Sequence, residues 1–493
     1  MMLQKSTGLF PRILGKGDNA KKLADLLLRM RSEEEVNASS DPSDSSASAF
    51  GMTPSSVVEN VIIIDREVDF PTTLLTQLTY EGLIDEVFGI RHNQTEVDTS
   101  IVGAAPQPPK AQGSAASQNT STPQGSMKRK IQLDSSDKLY PQLRDSNFAV
   151  VGPLLNKTAR RLQSDYEARH KADQSISDLK SFVAKLPSYQ AEQASLKVHT
   201  SIAEEIMKTT RGDFFGRVLE VQQNFAAGAD PSSMHDNIEE LISRDAPLPT
   251  ILRLLCLESC ISGGLRQRDL ENFKRLVIQA YGYQHLLTFA SLEKMGLLVQ
   301  RAANTGYLNP MGGTASGSTT DYASVRKTLK LFLDEVDEQD PTDIAYVFSG
   351  YAPLSIRLVQ CALQKSYLLS LSNPRTAANG SANGAAQAAQ ATGWKGFEDV
   401  LARIKGETVD ERQKGSNVEA SQARQVLRGS GGGPKTTIVF FLGGVTFAEV
   451  AALRFLGKQL GEGRKIVIAT TGMISGDRAV EAAIEKRGFG ARK

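Results

Sequence analysis

Cysteine is scarce, with three in 493 residues. That excludes a disulfide-stapled scaffold and fits a reducing compartment. No charge of one sign dominates: 57 Lys and Arg face 55 Asp and Glu, a net of +2. A chain whose main partner is nucleic acid needs a basic excess, so that class is disfavoured. No secretory signal opens the chain, because Lys5, Gly8, Pro11 and Arg12 break up its short apolar pieces. The one stretch resembling a membrane span, Ile438–Gly457, contains Glu449 and Arg454 and is cut by Gly443-Gly444. A charge at mid-membrane costs ~2.5–3.5 kcal/mol, so a strand, a turn and a helix are expected there instead. The expectation is a chain without a transmembrane segment, at most peripheral to a membrane. No internal repeat is visible. Apolar residues still make up 40%, enough for real cores over about three domains.

Those cores are organised unevenly. Val57–Asp65 (VVENVIIID) is a β-branched run ending in an acid, the pattern of a buried parallel strand. Thr437–Leu442 and Lys465–Ala469 read as two more strands. Between them Thr446 and Glu449 have capping-box spacing and open a helix through Leu460. Near the start, Asp18 or Asn19 is placed to cap a helix with a Leu23, Leu26, Leu27 and Met30 stripe. From about Leu154 to Leu369 the helical period dominates. Leu270, Phe273, Val277 and Tyr281 step along one face to a stop at Gly282. Ile251–Ile261 is apolar nearly all round and so should be buried. An α/β pattern at both ends around a helical middle predicts one open, mainly parallel sheet with a large all-helical insertion.

Chemistry is missing where it would be sought. Asp65-Arg66-Glu67-Val68-Asp69 follows a strand end, where open α/β sheets bind ligands. An aspartyl phosphatase or hydrolase using Asp65 and Asp69 is therefore the alternative reading. The spacing of four and the lack of companion motifs favour a turn whose carboxylates face helix N-termini or Arg66. Gly431-Gly432-Gly433-Pro434-Lys435-Thr436 fails as a phosphate loop, because Pro434 replaces the required glycine and a strand follows. The pair Gly443-Gly444 reads as a tight strand-to-helix turn. Cys256 and Cys260 share a helix face without further metal ligands nearby, so no metal site is assigned. His199 and His285 have no evident acid or nucleophile partner in sequence and receive no catalytic role. Tyr283–Leu298 has a winged-helix look, yet its would-be recognition stretch carries one lysine. No cofactor is expected. What remains is a helical body with an imperfect apolar seam, Tyr189, Leu196 and Ala203 at intervals of seven with Ile206 beyond. Such a seam suits a partner helix as well as a core.

Four runs carry a resemblance: VIIIDREVDFPTTLLTQLTYEGLIDEVFGI (61–90), FVAKLPSYQAEQASLKVHTSIAEEIMKTT (182–210), DEQDPTDIAYVFSGYAPLSIRLVQ (337–360) and FFLGGVTFAEVAALRFL (440–456). Together they resemble the SM (Sec/Munc) family of membrane-fusion regulators, in its vacuolar-sorting branch. The resemblance implies a non-enzyme that binds SNARE helices. It also implies a subunit of an endolysosomal tethering complex (HOPS or CORVET), peripheral in the cytoplasm on late endosomes and the vacuole or lysosome. Partners implied are SNARE proteins and a helical scaffold subunit resembling vacuolar protein sorting-associated protein 16, with no nucleic acid. The family's first domain, which contributes a syntaxin cleft, is expected to be missing ahead of Asp18. The layout implied is a helical lead-in to domain two over 1–36 and a disordered linker over 37–56. Residues 57–153 then form the first α/β part of domain two, with an unstructured insert at 99–126. Helical domain three spans 154–427, with unstructured inserts at 309–320 and 371–393. A linker at 428–435 leads to the second α/β part, 436–493. Tyr189, Leu196, Ile202, Ile206, Phe214 and Phe215 are the expected SNARE-binding side chains. Tyr351 and Leu354 are the expected scaffold anchors, on a turn between two helical stretches.

Overall fold

A computed structural model describes residues 2–40, 55, 57–103, 128–170, 176–301, 319–372, 393–413 and 435–486. Most of the segments read as unstructured lie outside these residues. In chain order the main elements are strand β1 (Arg12–Lys16), helix α1 (Asp18–Ser40), β2 (Val58–Asp65), α2 (Phe70–Leu74) and α3 (Tyr80–Val87). There follow β3 (Gln94–Asp98), β4 (Lys128–Gln132), α4 (Phe148–His170), α5 (Ile176–Thr210) and α6 (Asp213–Ala227). Next come α7 (Ser232–Ser243), α8 (Leu248–Ser262), α9 (Gln267–Tyr281), α10 (His285–Lys294) and α11 (Leu354–Leu363). The chain closes with β5 (Thr408–Arg412), β6 (Lys435–Leu442), α12 (Phe447–Gln459), β7 (Arg464–Thr470) and α13 (Gly476–Glu481). The chain divides into two compact units, one of residues 1–76 with 217–493, the other of residues 77–216.

The larger unit is built on a five-stranded sheet of order β5-β1-β2-β6-β7. All neighbours are parallel except β1 and β5, which run antiparallel. Period-two alternation explains why the strands read as unbroken apolar runs. Ile62, Ile64, Val439 and Phe441 enter the main core with the helices, while Val61, Ile63 and Ile438 face the other way onto α1 through Ala20 and Ala24. Helix α8 is buried almost all round and stops at Gly263, whose left-handed φ of 67° a side chain would resist. The capping box of Thr446 and Glu449 starts α12 as expected. Leu270, Phe273 and Val277 are buried on α9, which ends at Gly282.

Three sequence expectations are corrected. Strand β1 lies in the stretch read as a helical lead-in, and β5 lies in the stretch 154–427 read as wholly helical. Lys435, read as linker, begins β6.

The smaller unit, residues 77–216, has its own two-stranded antiparallel sheet of β3 and β4. Its largest feature is the antiparallel helix pair α4 and α5. Tyr189 Oη donates to the Leu162 carbonyl at 3.4 Å, and Arg161 pairs with Glu192. No helix among the described residues is long and apolar enough to cross a membrane.

Candidate functional site

The ends of the parallel strands are the first place to look for a ligand; a small cavity of ≈ 160 Å³ opens beside the end of β2, and the acids there are already engaged. Asp65 ends β2, and its Oδ2 accepts the Asn19 amide at 2.9 Å, so α1 is capped from another strand rather than by Asp18 or Asn19. Asp69 accepts Thr72 N at 3.1 Å and Ser355 N at 2.8 Å, capping α2 and α11 together. Arg66 donates to both oxygens of Glu449 at 2.8 and 2.9 Å and to the Asp69 carbonyl. Burial opposes the charge on Arg66, and Glu449 and Asp69 more than offset it, holding the guanidinium up. Ser355 Oγ also donates to Glu449. Every carboxylate in the run Asp65–Asp69 is thus engaged: Glu67, at the surface, pairs with Lys405 at 3.0 Å.

Lys16, at the end of β1, is pushed down to about 8 by burial against the fields of Glu407 and Asp18. Its ammonium donates to the Gly406 carbonyl at 2.5 Å and to Thr408 Oγ1 at 3.1 Å, so it fastens β1 to β5. The turn at Gly443-Gly444 has φ of 91° and 108°, and a Cβ on Gly443 would meet the Arg66 Cβ at 2.8 Å. Tight packing explains the glycines. Among the described residues no cluster of three or more His, Cys, Asp or Glu is arranged to hold a metal. Cys256 is buried and Cys260 is pushed up to about 12 by burial, as inert thiols should be.

The helix pair of the smaller unit offers an open apolar groove of ≈ 520 Å³. Phe148, Gly152 and Ala159 of α4 line it opposite Thr200, Ala203 and Met207 of α5. Small residues make its floor shallow enough for a helix to approach closely. Helix α5 has two working faces. Ser195, His199, Ile202 and Ile206 point into the unit's own core, while Leu196, Thr200, Ala203 and Met207 are half-buried on the next face.

The core face is held by a network that sequence reasoning missed. Tyr80 Oη lies 2.9 Å from His199 Nδ1, and His199 Nε2 lies 3.3 Å from Asp137 Oδ1. Ser195 Oγ donates to that same Asp137 oxygen at 2.6 Å, as do the Leu139 and Tyr140 amides at 2.8 Å. The His199 ring stacks on Tyr140, with centroids 5.9 Å apart and planes at 14°. Ser195, His199 and Asp137 do not form a nucleophile triad, because serine and histidine both turn to the carboxylate rather than to one another. The acid partner of His199 is 62 residues away in sequence, where no spacing rule reaches it.

The remaining expected site residues separate. Of the seam, Ile202 and Ile206 are fully buried, Tyr189, Leu196 and Phe215 are half-buried, and Phe214 is exposed. The two isoleucines are therefore core residues, and Leu196 with Ala203 belongs to the accessible face. Tyr351 and Leu354 are corrected outright: they are 0% and 1% exposed. Tyr351 Oη lies 3.2 Å from Thr72 Oγ1, and its ring meets Phe348 edge-on. A turn rich in Gly and Pro read as surface, but here the core closes over it. Among the exposed apolar side chains of the described residues, Tyr283, Leu286 and Leu287 group at the start of α10, 72%, 51% and 48% accessible.

Comparison with known proteins bears on the family and the fold. The profile of the Sec1 family matches residues 1–482. Vacuolar protein sorting-associated protein 33A of Rattus norvegicus is 40% identical over 487 residues, covering 99% of this chain and 70% of that protein. The vacuolar protein-sorting-associated protein 33 homolog of Arabidopsis thaliana is 32% identical over 489 residues, covering 99% and 70%. The chain therefore spans about 70% of the length of these relatives. The Unc18–syntaxin 1 complex from Monosiga brevicollis aligns with a TM-score of 0.58 at 13% identity, covering 98% of this chain and 69% of that one. The SM protein Vps45 in complex with the Qa SNARE Tlg2 aligns with a TM-score of 0.51 at 16% identity, covering 98% and 66%. These solved structures share the fold, and the family profile with the 40% relative carries the assignment: the chain belongs to the Sec1 family.

Proposed function

We propose that this chain regulates vesicle fusion by receiving SNARE helices in the groove between α4 and α5. Membership of the Sec1 family makes it a non-catalytic regulator of vesicle-mediated transport, and the hydrolase alternative is set aside with Asp65 and Asp69 serving as helix caps. The groove carries the reading. It is open, apolar and flanked by two antiparallel helices, the form in which an amphipathic helix lays down its apolar stripe. Leu196 extends it by one turn. The relatives named for vacuolar protein sorting support work at the late endosome or vacuole, reached through protein partners and within a HOPS- or CORVET-type assembly.

The test is Ala203→Trp, which fills the groove floor from a half-exposed position. Affinity of the whole chain for a recombinant SNARE motif is expected to fall at least about tenfold, or ~1.4 kcal/mol, with an unchanged melting temperature. Unaltered affinity overturns the reading.

A second surface supports the tethering role. Tyr283, Leu286 and Leu287 form an exposed apolar cluster on the helical part of the larger unit, and such clusters mark interaction sites. We assign this cluster, in place of Tyr351 and Leu354, to the helical scaffold subunit resembling vacuolar protein sorting-associated protein 16. Tyr283→Asp with Leu286→Asp is expected to abolish co-purification of that subunit while leaving circular dichroism and the melt unchanged. Retained co-purification removes the assignment.

A further inference from the structure

We propose that the helix accepted by the α4–α5 groove carries acidic side chains beside its apolar stripe, and that Arg160, Lys197 and Arg211 read them. The inference rests on the groove being a helix-binding site. Arg160 follows groove-lining Ala159 on α4. Lys197 lies one turn before Thr200 on α5, and Arg211 lies one turn beyond Met207. The three cations therefore border the apolar strip from both helices and along the C-terminal part of α5.

All three are exposed. None makes a side-chain ion pair or hydrogen bond among the described residues. Neighbouring charges behave differently: Arg161 is held by Glu192, and Lys208 by Glu205 at 2.8 Å. One acid, Glu204, lines the groove itself, and Lys208, held chiefly by Glu205, feels it only as a weaker charge. Three cations against the single acid Glu204 leave the border net positive on either side of an apolar floor. Cations spread over a flat face would suit an anionic lipid surface. Cations bracketing an apolar groove between two antiparallel helices suit a peptide helix with an apolar stripe and acidic shoulders. Charges at a rim act chiefly on the association rate and its salt dependence, and less on the dissociation rate.

The experiment uses the whole chain and a recombinant Qa-type SNARE motif. The motif is taken in its natural form and with the Asp and Glu beside its apolar stripe changed to Asn and Gln. Binding is measured by stopped-flow fluorescence at ~50 mM and ~300 mM KCl, a range over which screening removes rim attraction. The double variant Arg160→Glu with Lys197→Glu is expected to slow association about tenfold at low salt and to lose the salt dependence. The conservative pair Arg160→Lys with Lys197→Arg should behave as the unaltered chain. The neutralised motif should bind both forms equally. If Ala203→Trp abolishes binding while the charge reversals leave rate and salt dependence unchanged, the groove stands and acidic recognition is overturned. If neither change affects binding, or the unaltered chain binds neither motif, both readings fall. Capture of phosphatidylserine vesicles that the double reversal abolishes, with SNARE binding intact, assigns the cations to a membrane surface and overturns the proposal.

Discussion

Arg66→Ala is expected to destabilise the larger unit by about 3–5 kcal/mol, the cost of stripping one partner from a buried ion pair. Both side chains are almost wholly enclosed, at 4% and 0% accessible. Removing the guanidinium leaves the buried Glu449 carboxyl without its cationic partner, and it also frees the Asp69 carbonyl. The damage should spread, because Glu449 belongs to the capping box of α12 and accepts from Ser355 on α11. Urea denaturation followed by far-UV circular dichroism checks the magnitude. The double variant Arg66→Met with Glu449→Leu should regain a large part of the loss, since buried ion pairs and well-packed apolar isosteres are close in energy. A single variant as stable as the unaltered protein would show that the network is dispensable.

Asp137→Asn should loosen the other unit in a pH-dependent way. Burial works against ionisation of Asp137, but hydrogen bonds from His199, Ser195 and the Tyr140 amide outweigh it and hold the carboxyl far below the usual carboxylate range. The unfolded chain then binds a proton more readily than the folded one. The contribution is therefore fully present above the unfolded value, ~4, and is lost as pH falls through the folded value. Hydrogen bonds to a charged group contribute about 1.5–3 kcal/mol. The stability gap between the unaltered chain and the variant should be constant from pH 5 to 7 and narrow steadily below about pH 4. A gap independent of pH would mean that the carboxylate charge is not what the network uses. Because His199 precedes Thr200 and Ala203 on α5, the variant should also weaken SNARE-motif binding, more so than a surface change of equal stability cost.

The sequence announced the interior of the sheet and concealed its edges. VIIID and TTIVFFL are dense in β-branched and aromatic residues because both of their faces are covered. Arg12–Lys16 carries two charges in five residues and so reads as anything but a strand. Arg12 is matched by Asp410 at 2.5 Å, and Lys16 by Gly406 and Thr408, all roughly 390 residues or more away. A long-range partner cancels the charge and leaves no local mark. Site residues divide in the same way. Leu196 and Ala203 betray a face through their spacing, whereas Tyr80, Asp137 and His199 meet only in three dimensions. Tyr351 misled for a simpler reason: Ser349 and Gly350 hold positive φ of 48° and 130°, so a true turn was present. Whether a turn is covered depends on what lies above it, which no turn motif records.

The pairing of β2 with β6 also imposes a timetable. Val61 meets Ile438 and Ile64 meets Phe441, so the middle strand of the sheet waits for residues made more than three hundred and seventy positions later. Residues 77–216 satisfy one another and can fold during synthesis, at ~5–20 residues per second. The β1–β2 hydrophobic ribbon, by contrast, has no neighbour on its β6 side for the better part of a minute. Such an unpaired edge is a template for wrong partners. Premature termination anywhere before Lys435 should therefore yield aggregate rather than a smaller working protein, and a nascent chain of this kind is a natural client for chaperones that hold exposed strands.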